Sequence, residues 1–166
     1  MVSDVPHLDG VHHLKLPVSD IEVALAWYCS RLGYVAVRRW VEHGRLMGVG
    51  MTHPHGGPGL ALRLQPDRAA KAAGFDYFSI GVPTRAELAE LADRLTELGD
   101  EHGGVRLGLT GWVLPYLHDP DGHELRFYTT EQHTDSNDPS IRVLTEAHGW
   151  ADQREHDLDR PTPGAQ

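Results

Sequence analysis

The chain has 166 residues, 40% of them apolar, with 15 basic against 24 acidic side chains and a formal net charge of −9. That length suits one domain, or two small modules over a proper hydrophobic core. No apolar run approaches the ~20 residues of a transmembrane helix, and the acidic balance, without a basic stripe interleaved with aromatics, argues against nucleic acid as a partner.

The opening MVSDVPHLDG has neither the basic start nor the apolar centre of a signal peptide. The single cysteine, Cys29, cannot form an internal disulfide, and both features point to the cytoplasm. After an N-terminal extension over residues 1–10, Val11–Val18 alternates, with Leu14, Leu16 and Val18 on one face and His13, Lys15 and Pro17 on the other. Ser19 with Glu22 forms a capping box for a helix with the stripe Ile21, Ala24, Leu25 and Tyr28, stopped at Gly33. Strands at Tyr34–Val41 and Arg45–Met51 flank the turn Glu42-His43-Gly44. The loop Thr52–Gly59 precedes a fourth strand, Leu60–Gln65, with Ala61, Arg63 and Gln65 opposite its leucines.

A short polar connector, residues 66–74, then leads into the same order again. Phe75–Val82 reads as a strand with Tyr77, Ser79 and Gly81 on one side. Thr84 with Glu87 caps a helix Arg85–Leu98 carrying Leu88, Leu91, Leu95 and Leu98, and Gly99 ends it. A weak strand at Val105–Leu109 comes before Trp112–His118, the turn Asp119-Pro120-Asp121-Gly122 and a last strand. There Glu124, Arg126 and Tyr128 oppose Leu125 and Phe127. Residues 131–166 are charged and read as a largely flexible tail.

The halves keep register. Ser19 to Thr84 is 65 positions, Gly33 to Gly99 is 66 and Arg63 to Arg126 is 63. Two copies of that length are not a solenoid. They describe an α+β chain of two βαβββ modules, residues 11–65 and 75–130.

Two such modules, with His13 seven residues before Asp20 in HLKLPVSD and a late hairpin DPDGHELRFY, resemble the vicinal oxygen chelate superfamily of glyoxalases, bleomycin-resistance proteins and extradiol dioxygenases. The resemblance implies curved half-barrel sheets around a shared cavity, with helices outside. In metal-binding members the ligands come from the first and last strand of each module. The matching positions here are His13, Arg63, Tyr77 and Arg126. A guanidinium has no lone pair to give a metal, so the expectation is that no metal cofactor is used. A divalent Fe, Zn, Ni or Mn is the alternative, with His13 and Glu124 as its ligands. Glu124 lies two residues from the matching position, ~6–7 Å along the strand, against metal–oxygen bonds of about 2 Å.

The function expected is binding and sequestration of an acidic or carbonyl-bearing aromatic compound, or metal-free catalysis on it by His13 and Tyr77. Arg63, Ser79, Trp112, Tyr116, His118, Glu124, Arg126 and Tyr128 are the expected ligand-binding residues, with Arg126 as the main anchor. A metal-dependent lyase, isomerase or extradiol-type dioxygenase is the alternative. The polar strand faces disfavour a purely structural module. His53 and His55 read as a flexible cavity lip, Cys29 as structural, and Trp27 and Trp40 have no assigned role. Whether the cavity closes within one chain or in a homodimer stays open.

Overall fold

The computed structural model describes residues 10–108 and 110–133, and the chain divides into two compact units, Met1–Lys71 and Ala72–Gln166. The α+β reading holds: each unit carries a four-stranded mixed sheet. Among the described residues no helix is long and apolar enough to cross a membrane.

In the first unit β1 (His13–Val18) is followed by α1 (Ile21–Leu32), β2 (Val35–Glu42), β3 (Arg45–Thr52) and β4 (Gly59–Leu64). The sheet order is β1-β4-β3-β2, with β1 parallel to β4 and the other pairs antiparallel. Alternation sends Leu16, Val18, Val49, Met51, Leu60, Leu62 and Leu64 into the core, where the apolar side of α1 is buried through Ile21, Ala24, Leu25, Trp27 and Tyr28. Burying such side chains is worth ~1.5–3 kcal/mol each before conformational entropy is charged.

The cap of α1 differs from expectation. Asp20, not Ser19, takes the backbone N–H groups of Glu22 and Val23, at 2.9 and 3.1 Å. Asp20 has the extended backbone an N-cap needs, φ −141 and ψ 119, and its negative charge suits the helix N-terminus. Gly33 closes the other end at φ 73, and the His53 ring reaches the Leu32 carbonyl at 3.0 Å. His53 is therefore docked on a helix end rather than part of a loose lip. The β2–β3 turn is a two-residue hairpin in which His43 and Gly44 both take positive φ, 51 and 75, the geometry whose twist matches the flanking strands.

The expected polar connector is a short helix, α2 (Pro66–Ala72). Pro66 opens it, Asp67 sits in its first turn, and its alanines favour helix over loop.

The second unit comprises β5 (Ser79–Val82), α3 (Arg85–Glu97), β6 (Arg106–Leu107), β7 (Trp112–His118) and β8 (Glu124–Thr129), in sheet order β5-β8-β7-β6. Leu88, Ala92 and Leu95 of α3 share the buried core with Val82, Leu114, Leu117, Leu125 and Phe127. The Thr84 hydroxyl accepts the Glu87 N–H and donates to the Glu87 carboxylate at 2.7 Å. Gly99, at φ 82, ends the helix with its N–H on the Thr96 carbonyl and that of Asp100 on the Leu95 carbonyl. The β7–β8 turn forms as read: Gly122 has φ 82 and its N–H meets the Asp119 carbonyl at 2.9 Å.

Two features depart from simple alternation. β5 begins only at Ser79, so residues 75–78 lie outside the ladder, and Tyr77 is 54% exposed. In β7 the register slips between Leu114 and Leu117, and Tyr116 takes φ 66. This is a bulge at Pro115-Tyr116, where proline has no N–H to offer the ladder.

The expected tail does not start loose at residue 131. The Glu131 carboxylate accepts the Arg85 N–H at 2.7 Å, and His133 is buried with Nε2 3.1 Å from the Gly108 carbonyl. The N-terminal extension before Gly10 and the tail beyond His133 lie outside the described residues.

Candidate functional site

The first sheet carries on its polar face a cleft of ≈ 950 Å³, and this is the candidate site. Its shape follows from register. Across the sheet Lys15 is aligned with Ala61, Ala61 with Gly50, and Gly50 with Arg38. The next row runs Pro17, Arg63, Gly48, Trp40. The central strands thus contribute almost no side chain to the first row, and bare backbone forms a floor. Glycines inside a strand mark such close approach.

Trp40 covers part of that floor. A Cβ on Gly48 or on Gly50 would lie 3.1 Å from the indole, so the ring rests against the β3 backbone, and it remains 43% exposed on its outer side. An indole laid over bare strand offers a flat apolar platform.

The charge around the cleft is one-sided. Lys15, Arg38, Arg63 and Arg68 line it, with His12 and His13, and among the described residues no Asp or Glu does, although acids outnumber bases along the chain. Arg63 is neutralised: its guanidinium donates to both Glu42 carboxylate oxygens, at 2.8 and 3.0 Å. That pairing holds the Glu42 carboxyl below its ordinary value of 4.5 and raises the Arg63 pKa. Lys15, Arg38 and Arg68 have no ion-pair partner among the described residues. Arg39, one residue on and pointing to the other face, pairs with Glu22 of α1 at 3.3 Å. At the lip, His12 and His13 place their Nδ1 atoms 2.9 Å apart, sharing one hydrogen bond.

The second sheet brings together a different set. Ser79 is aligned with Arg126, and His118 with Glu124, so these four share a face with Tyr128. Here the chemistry is already satisfied. Glu124 is buried at 6% exposure, accepts the Tyr116 backbone N–H at 3.3 Å, and lies 3.1 Å from Arg126 Nη2. Arg126 Nε also meets Asp76 Oδ2 at 2.9 Å. An arginine held by two carboxylates is a poor anchor for a further anion, because the ligand must displace a carboxylate already in place. The bulge moves Trp112 to the other face, under Arg85 at the start of α3, whose guanidinium carbon stands 5.3 Å from the ring centre. Tyr116 is buried, with Arg106 over its ring. Tyr77, exposed, stacks edge-on with Phe75.

The residues at the four metal-ligand positions do not form a fitting donor set. Two are arginines already tied to carboxylates, Glu42 for Arg63 and Glu124 with Asp76 for Arg126. The carboxylate of Glu124, the offered substitute, is spent on Arg126 and a backbone N–H. Among the described residues no group of three or more His, Cys, Asp or Glu side chains could hold a metal ion.

Lys15, Arg38, Trp40, Gly48, Gly50 and Arg68 were not anticipated as a site. The signal lay in the glycines at alternate positions of one strand, with a tryptophan and an arginine at matching parity on its neighbour.

Comparison with known proteins agrees with this architecture. In sequence the chain is 30% identical over 99 residues to the catechol-2,3-dioxygenase of Bacillus subtilis (strain 168), a match covering 58% of this chain and 35% of that protein. The chain therefore spans about a third of the length of that relative. In structure it resembles a glyoxylase/bleomycin resistance protein/dioxygenase domain from Frankia sp. EAN1pec, with TM-score 0.61 and 22% identity over 75% of this chain and 100% of the other. It also resembles TnmS3, an antibiotic binding protein from Streptomyces sp. CB03234, with TM-score 0.59 and 16% identity over 77% and 98%. Residues 10–127 match the family described as Glyoxalase/Bleomycin resistance protein/Dioxygenase superfamily, and the chain belongs to it.

Proposed function

We propose that the protein binds a flat, acidic or carbonyl-bearing small molecule in the cleft of its first unit, without a metal, and either sequesters it or acts on it there. One observation carries this reading: an indole platform over a glycine floor, in a cleft lined by four Lys and Arg side chains and, among the described residues, no acid. Aromatic planes and convergent cations suit an aromatic or conjugated anion. The fold shared with an antibiotic binding protein is in keeping with it. His13, which lines the cleft, is the side chain we assign to moving a proton if chemistry follows binding. Tyr77, outside its ladder and exposed, gains no such support. Cys29, the only cysteine, suits a reducing cytoplasm.

The test is titration of metal-free protein with 8-anilinonaphthalene-1-sulfonate and with its uncharged parent, N-phenyl-1-naphthylamine, following total tryptophan fluorescence in the unaltered protein and in Trp40→Phe. The sulfonate is expected to bind more tightly, and Trp40→Phe to remove most of the quenching. Equal binding of both probes, or quenching unaltered in Trp40→Phe, would overturn the reading.

A second reading takes its support from the similarity to catechol-2,3-dioxygenase: a metal-dependent oxygenase, lyase or isomerase. It requires donors other than Arg63 and Arg126. Elemental analysis of untagged protein showing about one iron, zinc, nickel or manganese per chain, lost in His13→Ala, would establish it in place of the first.

A further inference from the structure

The cleft has an unpaired cation toward each of two sides, among the described residues. Lys15 on β1 and Arg38 on β2 occupy the same row of the sheet and stand on its two outer strands, with only Ala61 and Gly50 between them. Three strand spacings put their backbones ~14 Å apart, and both side chains line the cleft. Between them the row itself offers only a methyl group and a glycine, and the Trp40 indole lies flat over that glycine, so a planar ligand passing from one cation to the other would run over the ring. Neither has an ion-pair partner among the described residues. Exposed cations are common on any surface. These two differ in standing on the same face at either side of a row whose glycine is overlaid by the flat Trp40 indole, in a cleft that no acid among the described residues lines, on a chain of net charge −9. The third cation of the face, Arg63, lies in the next row and is closed off by Glu42.

We infer that the preferred ligand is an elongated, planar compound with an acidic group at each end, a conjugated or aromatic dicarboxylate, lying along the row with one carboxylate at Lys15 and the other at Arg38. This rests on the binding reading above and narrows it to a substrate class. Arg38 can take its carboxylate through two parallel N–H bonds, whereas Lys15 acts as a point charge. Two separated cations reward a second negative charge only if the ligand is long and stiff enough to reach both, which favours a rigid ring system over a flexible chain.

The experiment compares 2,6-naphthalenedicarboxylate with 2-naphthoate, by calorimetry and by Trp40 quenching at fixed ionic strength, in the unaltered protein and in Lys15→Gln, Arg38→Gln and, as a control for overall charge, Lys71→Gln. The dicarboxylate is expected to bind at least about tenfold more tightly than the monoacid. Lys15→Gln and Arg38→Gln should each bring it down to the level of the monoacid, and Lys71→Gln should leave the preference intact. Equal affinity for the two probes, with Trp40 still quenched, would overturn the two-ended ligand and leave the cleft standing. A preference that survives both substitutions would do the same. Failure of both probes to bind would overturn the inference together with the reading on which it rests.

Discussion

The guanidinium of Arg63 holds the carboxylate of Glu42 through two hydrogen bonds, 2.8 and 3.0 Å long. The bond depresses the Glu42 pKa, so its contribution to stability is complete above the ordinary carboxylate value of 4.5 and is lost as the pH falls through the lowered one. Glu42→Gln should therefore melt below the unaltered protein at neutral pH and match it at strongly acidic pH. Melts at both pH values check this. An equal gap at both would mean that the pair does not govern it.

Removing Glu42 also frees a cation. The same variant should bind 8-anilinonaphthalene-1-sulfonate about two- to fivefold more tightly at neutral pH, since Arg63 then faces the cleft without a counter-charge. The sulfonate stays ionised throughout, so any change reports on the protein. Weaker binding would show that Arg63 needs Glu42 to hold its position.

Gly50→Val tests the floor. A side chain there meets the Trp40 indole, and the half-exposed ring can swing aside. The fold should survive, while affinity for the same sulfonate drops by about tenfold or more and Trp40 emission shifts to the red, as a wetter indole requires. Unchanged affinity with a shifted spectrum would place the ligand elsewhere on the sheet.

Arg126→Leu separates the second sheet from ligand binding. It strands Glu124, which is buried, and Asp76, and it should cost about 2–4 kcal/mol in urea denaturation. Probe binding in the first unit should stay as it was. A variant of normal stability that no longer binds would make Arg126 the anchor after all.

In the β7–β8 turn, His123 Nδ1 lies 2.9 Å from Asp119 Oδ2, and both residues are buried. His123→Ala and Asp119→Ala should each destabilise by about 2–3 kcal/mol, and the double variant by clearly less than their sum, because the partners share one interaction. Strict additivity would show that they act separately.

How far the sequence could be read follows from which forces are local. The faces of β1, β4 and β8 were legible because a period of two assigns each side chain without knowledge of its neighbours, and Leu125 and Phe127 are buried as that pattern requires. The cap at Thr84, the stops at Gly33 and Gly99 and the Asp119–Gly122 turn are short-range geometry, and they form. What failed depends on pairing across the chain. Nothing near Trp112 announces that a bulge three residues later reverses its face, and nothing near Arg63 or Arg126 names Glu42 or Asp76 as partner. Trp40 looked idle because its role exists only once β2 lies beside Gly48 and Gly50.

The indole resting on β3 has a consequence for solvent access. Two alternate glycines leave the amide groups of the strand without the shelter that side chains usually give, and Trp40 supplies it from the adjacent strand. Residues 48–50 are paired with β2 and β4 on both sides, which already slows their amide exchange; Trp40→Ala should speed it and a ligand pressed against the ring should slow it further. A single aromatic side chain thereby makes the same stretch of backbone part of the interior or part of the surface.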